Sequence, residues 1–270
     1  MKARKLLEQT GVSLLEVLIT LAIAGTITTA VFKTYLTQHQ NYMTQDAITN
    51  VQQNARVVID EISRQIRMAG NNLPSGIPAI IPSNANPDTI TLTYRINNCE
   101  VNLTETMAST GSVIKCNTDV SCFHDNQWAY IFEPDSNGGE LFQISSVDNS
   151  SFYLYHGSMP LSRIYTNNAV VMLIQQLKYF VDNTSDTENP KLMLQVLGQP
   201  AQVFAEYIAD FQIEYLLRNS MVVDEPLLIN DIREVRINVV GSVPDSYAST
   251  GTDKKYRVRA YSSAVNVRNL

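Results

Sequence analysis

Gly11-Val12-Ser13-Leu14-Leu15-Glu16-Val17-Leu18-Ile19 opens an apolar run that continues to Phe32 and governs how the rest of the chain is read. Residues 12–32 contain no Lys, Arg, Asp or Pro and a single acid, Glu16. At ~1.5 Å per residue such a helix spans ~31 Å, about the thickness of a bilayer's hydrocarbon core. Residues 1–10 carry Lys2, Arg4 and Lys5 against one acid, Glu8. Basic residues ahead of an apolar segment hold the N-terminus in the cytoplasm. The expectation is a single-pass anchor with everything after Phe32 exported.

Glu16 makes the stretch more than an anchor. A carboxylate inside a membrane helix costs ~2.5–3.5 kcal/mol even on lenient insertion scales, so it marks a functional site by default. The plainer alternative is an interfacial acid near the helix start, favoured by the helix dipole and reaching to the headgroups.

Beyond Phe32 the helix is expected to continue to Gly70. Between Val12 and Leu73 there is no Pro, and Gly25 and Gly70 are the only glycines. Met43, Ala47, Ile48, Val51, Ala55, Val58, Ile59, Ile62, Ile66 and Ala69 recur mostly at steps of three and four, which forms one apolar face. Gly70-Asn71-Asn72-Leu73-Pro74 supplies the stop. The outer half should lay its stripe on the exported domain.

The order basic leader, Gly11, Glu16 five residues later and an unbroken apolar helix resembles the class III signal of type IV prepilins and pseudopilins. The string Val51-Gln52-Gln53-Asn54-Ala55-Arg56, followed by Arg64-Gln65-Ile66-Arg67-Met68-Ala69-Gly70, is most similar to PilW-type minor pilins, with a related stretch in pseudopilin J of type II secretion. Tyr207-Ile208-Ala209-Asp210-Phe211-Gln212-Ile213-Glu214-Tyr215 and the closing strands resemble the same group. The resemblance implies removal of residues 1–11 by a prepilin peptidase, which cuts between Gly11 and Val12 and N-methylates Val12. It implies a subunit-assembly role for Glu16, which would neutralise the terminal ammonium of a neighbouring subunit. One departure is Val12, where the family usually has Phe. The domains implied are the leader 1–11, a long helix 12–70 with residues 12–32 in the membrane, and a β-rich domain 71–270. The fold class is α+β, type IV pilin-like, with the helix packed on a mostly antiparallel sheet.

The rest of the chain supports a β-rich domain. Residues 89–96, 127–132, 141–144, 152–155, 169–181, 192–197, 235–240 and 256–267 alternate or are rich in β-branched and aromatic side chains. Asp135-Ser136-Asn137-Gly138-Gly139 reads as a hairpin turn. Pro74, Pro78, Pro82 and Pro87 mark residues 71–88 as an irregular loop. Residues 205–217 are ambiguous between a helical turn and a strand.

The chain has 270 residues, 44% of them hydrophobic and 17% charged, with a net charge of −6. Without the leader the net charge would be near −8. This acidic balance with no Lys/Arg cluster argues against nucleic acid as the main partner, leaving only a local patch at a filament tip. Cys99, Cys116 and Cys122 lie in an exported region, where one disulfide and one spare thiol are expected. Cys116–Cys122 closes the shorter loop; Cys99–Cys116 is the alternative. Three scattered cysteines with His124 match no familiar zinc spacing. No nucleophile motif, phosphate loop or dinucleotide motif is present, so no catalytic residue, metal or cofactor is assigned.

The expected function is therefore assembly, not catalysis. The leading expectation is a minor pilin that primes or caps a type IV pilus. Its partners would be other major and minor pilins, the prepilin peptidase and the inner-membrane assembly platform. Its location would be the bacterial inner membrane and then the pilus or cell surface. A minor pseudopilin of type II secretion is the alternative, and a signal-anchored periplasmic enzyme or adhesin is the alternative of another class.

Overall fold

A computed structural model describes residues 11–74, 76–109, 111–135, 138–157, 160–244 and 256–269. Two compact units are distinguished among them, residues 11–49 and residues 50–244 with 256–269. The helix α1, Leu14–Met68, contributes to both. The leader residues 1–10, and Ser136 and Asn137 of the expected hairpin turn, lie outside the described residues.

The second unit is built from β1 (Ile80–Ser83), β2 (Thr89–Asn102), β3 (Val113–Lys115), β4 (Trp128–Phe132), β5 (Gly139–Asp148), β6 (Tyr153–His156), β7 (Val170–Asp182), β8 (Lys191–Val196), β9 (Gln202–Glu206), β10 (Ile208–Leu217), β11 (Val222–Val223), β12 (Ile232–Pro244) and β13 (Tyr256–Asn266). Every named pairing is antiparallel, and a helix followed by antiparallel sheets is an α+β fold. One sheet runs β1-β2-β7-β4-β5-β6-β3, with β8 and β9 joined to β7; the other runs β11-β10-β12-β13. The first sheet forks on β7. One edge of β7 takes β2, while the opposite edge takes β4 at residues 170–173 and β8 at residues 177–182.

The fork produces two main cores, with a smaller cluster of Tyr130, Phe132, Met172 and Ile174 on β4 and β7. Along α1, Val51, Ala55, Val58, Ile62 and Ile66 are buried, continued by Ala69, with steps of four and three that keep them on one face. This stripe meets Leu92 and Tyr179 of the larger sheet and Phe211 and Val235 of the smaller one, so a single helix face seals both sheets. Each fully buried Val or Ile is worth ~1.5–3 kcal/mol of transfer free energy. The other core lies where β2 and β7 run on past the helix, around Val101, Ile114, Phe123, Ile131, Leu154, Tyr165 and Val171. β2 changes register between Arg95 and Glu100, and those two side chains pair across the shift, Nη1 to Oε2 at 3.0 Å.

The helix ends where the sequence places its stop. Gly70 has φ +79, a left-handed conformation that a side chain would strain, and its N–H donates to Thr93 O at 3.0 Å. Asn269 Nδ2 donates to Arg67 O at 3.1 Å, so the closing segment supplies a partner for a terminal helix carbonyl.

Two expectations are revised. Residues 205–217 contain no helical turn: β9 and β10 are separate strands broken at Tyr207, whose φ is +62. Residues 71–88 are not wholly irregular, because Ile80–Ser83 pairs with β2. Pro82 is tolerated there because β1 is an edge strand.

Candidate functional site

The residues singled out by the sequence gather at the start of α1, within the first unit. Gly11 and Val12 precede the helix, and both are exposed. Nothing lies within 4 Å of the position a Gly11 Cβ would occupy. The Gly11–Val12 peptide is thus exposed and lies ahead of regular structure.

Ser13 is the N-cap. Its carbonyl accepts the N–H of Glu16 at 3.0 Å and of Val17 at 3.2 Å, and the helix proper begins at Leu14. Glu16 therefore occupies the third helical position, completing a Ser-x-x-Glu pattern with Ser13. That pattern is the sequence signature of a capping box, but its reciprocal side-chain hydrogen bonds are not made here, and what remains is the favourable place of an acid at the positive end of the helix dipole. The local setting of Glu16 is thus that of an acid in the first turn of α1. The Glu16 side chain is exposed, with no hydrogen-bond or ion-pair partner among the described residues.

Around it the helix is apolar on every side. Large hydrophobic side chains between Val12 and Phe32 are 42% to 80% exposed, and successive residues such as Leu14, Leu15, Val17 and Leu18 point in different directions around the axis. This stretch of α1 is long and apolar enough to cross a membrane, and none of it is buried within the protein. Its threonines are largely self-satisfied. Thr20 Oγ1 donates to Val17 O at 2.9 Å, Thr26 to Ile23 O at 2.8 Å and Thr29 to Gly25 O at 2.8 Å. Glu16 is the one ionisable side chain of residues 12–32.

Other candidates stand apart from this segment. Arg56, Arg64 and Arg67 are exposed on α1, and Arg64 is held by Glu61, Nη2 to Oε1 at 2.6 Å, within the same helix. The Arg64 guanidinium draws the Glu61 pKa below the ordinary carboxylate value. His39 stacks on Tyr35 with ring centroids 6.2 Å apart, His124 is exposed, and His156 is buried in the sheet, so the three histidines are not brought together. Among the described residues no group of three or more His, Cys, Asp or Glu is placed to hold a metal ion.

The cysteine expectation is corrected. Neither Cys116–Cys122 nor Cys99–Cys116 forms; Cys99 and Cys122 are bonded, with Cα atoms 5.9 Å apart, and Cys116 is free and buried. Cys116 pairs by backbone with Leu103, and its Sγ packs in the second core, 3.7 Å from Ile114 O. The strand pairing that fixes Cys116 turns its sulfur inward. Loop length alone could not reveal this. Burial pushes the Cys116 thiol up to about 12.

Comparison of the sequence with protein-family models and with curated proteins finds no match.

Proposed function

We propose that this chain is a minor (pre)pilin, a structural subunit that takes part in assembling or priming a type IV pilus. A prepilin peptidase would cut between Gly11 and Val12 and methylate Val12. The processed chain would wait in the bacterial inner membrane with its C-terminal unit in the periplasm, and then join other pilins through α1. The observation that carries this reading is a helix segment apolar and uncovered on all sides, with one carboxylate, Glu16, at its start. Such a segment needs apolar surroundings, and a lipid bilayer or a bundle of like helices supplies them. In either one, Glu16 requires a positive partner, which a neighbouring subunit's new terminal ammonium would provide. The accessible Gly11–Val12 peptide and the packing of the other end of α1 into a β-rich unit suit the same role.

The test is processing and incorporation. Gly11→Ala should block trimming, and a mature product of normal size from that variant would rule out the cut site. Glu16→Ala or Glu16→Val should be trimmed and membrane-bound yet absent from sheared filaments. Recovery of either variant at the parental level would refute the role given to Glu16.

A further inference from the structure

Residues 217–231 form a loop that is fixed from the inside and apolar on the outside. It opens with the turn from β10 into β11, where Leu217 N–H donates to Met221 O at 2.8 Å and Ser220 takes φ +67. β11 then pairs with β10, Val223 against Tyr215 and Val222 against Leu216. The far end is closed by Arg218 N–H, which donates to Asp231 O at 2.8 Å. Between these ties Pro226 is buried, and Val223 and Ile229 pack on the core shared with α1. Three apolar anchors and two main-chain closures thus set the course of the loop.

Its other apolar side chains are left outside. Leu227 is 99% exposed and Leu228 66%, with Met221 and Val222 exposed as well. Single exposed hydrophobics are ordinary, but four within eight residues of an anchored loop mark a contact surface. Asp224, Glu225 and Asp231 are exposed in the same loop, and residues 219–232 contain no Lys or Arg. Among the described residues none of these three acids forms an ion pair, and neither do Arg218 and Arg233 at the borders. Their field reaches inward. Burial is the main cause of the raised pKa of Asp88, and the charges of Asp224 and Asp210 add to it. At Tyr215 burial again leads, followed by Asp88 and Glu225. A surface at once apolar and negative is repelled by anionic lipid headgroups. It is complementary to an apolar pocket whose rim carries Lys or Arg.

We propose that residues 221–231 form a docking surface for another protein, whose apolar pocket takes Leu227 and Leu228 while Lys or Arg at its rim meets Asp224 and Glu225. The anchors at Val223, Pro226 and Ile229 hold the leucines in place before contact, so binding has little of the loop left to order. This surface lies in the second unit and does not depend on the pilin reading, which is tested at Gly11 and Glu16. Failure of either leaves the other intact.

The test is photocrosslinking of the full-length chain in its native cells, with Leu227→p-benzoylphenylalanine as the probe. One dominant adduct with another protein is expected, and mass spectrometry should place the linked peptide on an apolar surface bordered by Lys or Arg. Asp224→Lys combined with Glu225→Lys should cut the adduct yield at least about fivefold at equal protein level, and Leu228→Ser should do the same. Melting temperatures of these variants should match the parent's, because none of the three side chains is buried. If the charge-reversed chain does not fold, the probe chain without reversal is irradiated in opened cells at about 0.05 and 0.5 M NaCl, where the higher salt should lower the yield. Absence of an adduct would overturn the proposal. So would a yield indifferent to charge reversal or to salt, a linked surface without Lys or Arg, or adducts formed only with lipid or with a second copy of this chain.

Discussion

A Cβ added to Gly241 would lie 2.2 Å from Val51 Cγ1, so the absence of a side chain on β12 is what lets α1 settle at its present depth. Gly241 has no left-handed backbone requirement, and its constraint is purely steric. Val51 cannot swing aside, because a β-branched side chain in a helix is held to one rotamer. Gly241→Ala should therefore destabilise the protein by about 1–3 kcal/mol, as overpacking does elsewhere. Val51→Ala in the same chain should recover part of the loss. Thermal melts of the four variants of this cycle provide the check, and simple additivity would contradict the contact.

Asp88 ties the two sheets together and does so as a buried acid. Its Oδ2 accepts Ile213 N–H at 2.7 Å and its N–H donates to Phe211 O at 2.8 Å. Burial raises its pKa, the Ile213 N–H opposes the rise, and the charges of Asp224 and Asp210 add to it. In the folded state the carboxyl keeps its proton to higher pH than in the unfolded chain. Its contribution is thus most favourable at low pH and falls as pH rises through the folded value. Asp88→Asn keeps an oxygen for Ile213 and should raise the melting temperature near neutral pH. That gain should shrink below about pH 4, where the unfolded carboxyl is itself protonated. A variant less stable than the parent at neutral pH would mean the charge-assisted hydrogen bond outweighs desolvation.

The cysteines should differ sharply in behaviour. Cys99–Cys122 closes a loop with a sequence separation of 23, for which chain entropy gives about 3 kcal/mol. Replacing both with alanine should cost roughly that amount in urea titration. Cys116, with its thiol pushed up to about 12, offers almost no thiolate at neutral pH. Iodoacetamide should label it only after unfolding, as read by mass spectrometry. Rapid labelling of the folded protein would contradict its burial.

Glu16→Gln separates two roles that Glu16→Ala merges. Glutamine is about as good a helix former as glutamate, so helix content should be unchanged by circular dichroism. An uncharged amide cannot neutralise an ammonium. If charge pairing drives assembly, the variant should be missing from filaments while remaining helical. Parental incorporation would show that the Glu16 charge is dispensable for assembly.

The legible parts of the sequence were those decided by local chemistry. Gly70 with Pro74 marks the end of α1 because a left-handed turn and a missing N–H act over a few residues. Of the expected stripe from Met43 to Ala69, the part from Val51 onward gives the buried face, whereas Met43 is 49% exposed. What stayed hidden depends on tertiary pairing. The break at Tyr207 is a left-handed conformation in a residue type that does not advertise one, so β9 and β10 merge in the sequence. Cys116 turns inward because of its pairing with Leu103, which no spacing rule reports.

The threonines of α1 bear on what happens when this helix changes surroundings. Thr20, Thr26 and Thr29 each donate to a carbonyl of their own helix, so no external group has to be surrendered or found for them. In the proposed role, passing from fatty-acyl chains to the flank of another helix would exchange one set of dispersion contacts for another. Those hydroxyls would register nothing of such a transfer, and Glu16, the lone ionisable group of residues 12–32, would be left to discriminate between the two environments.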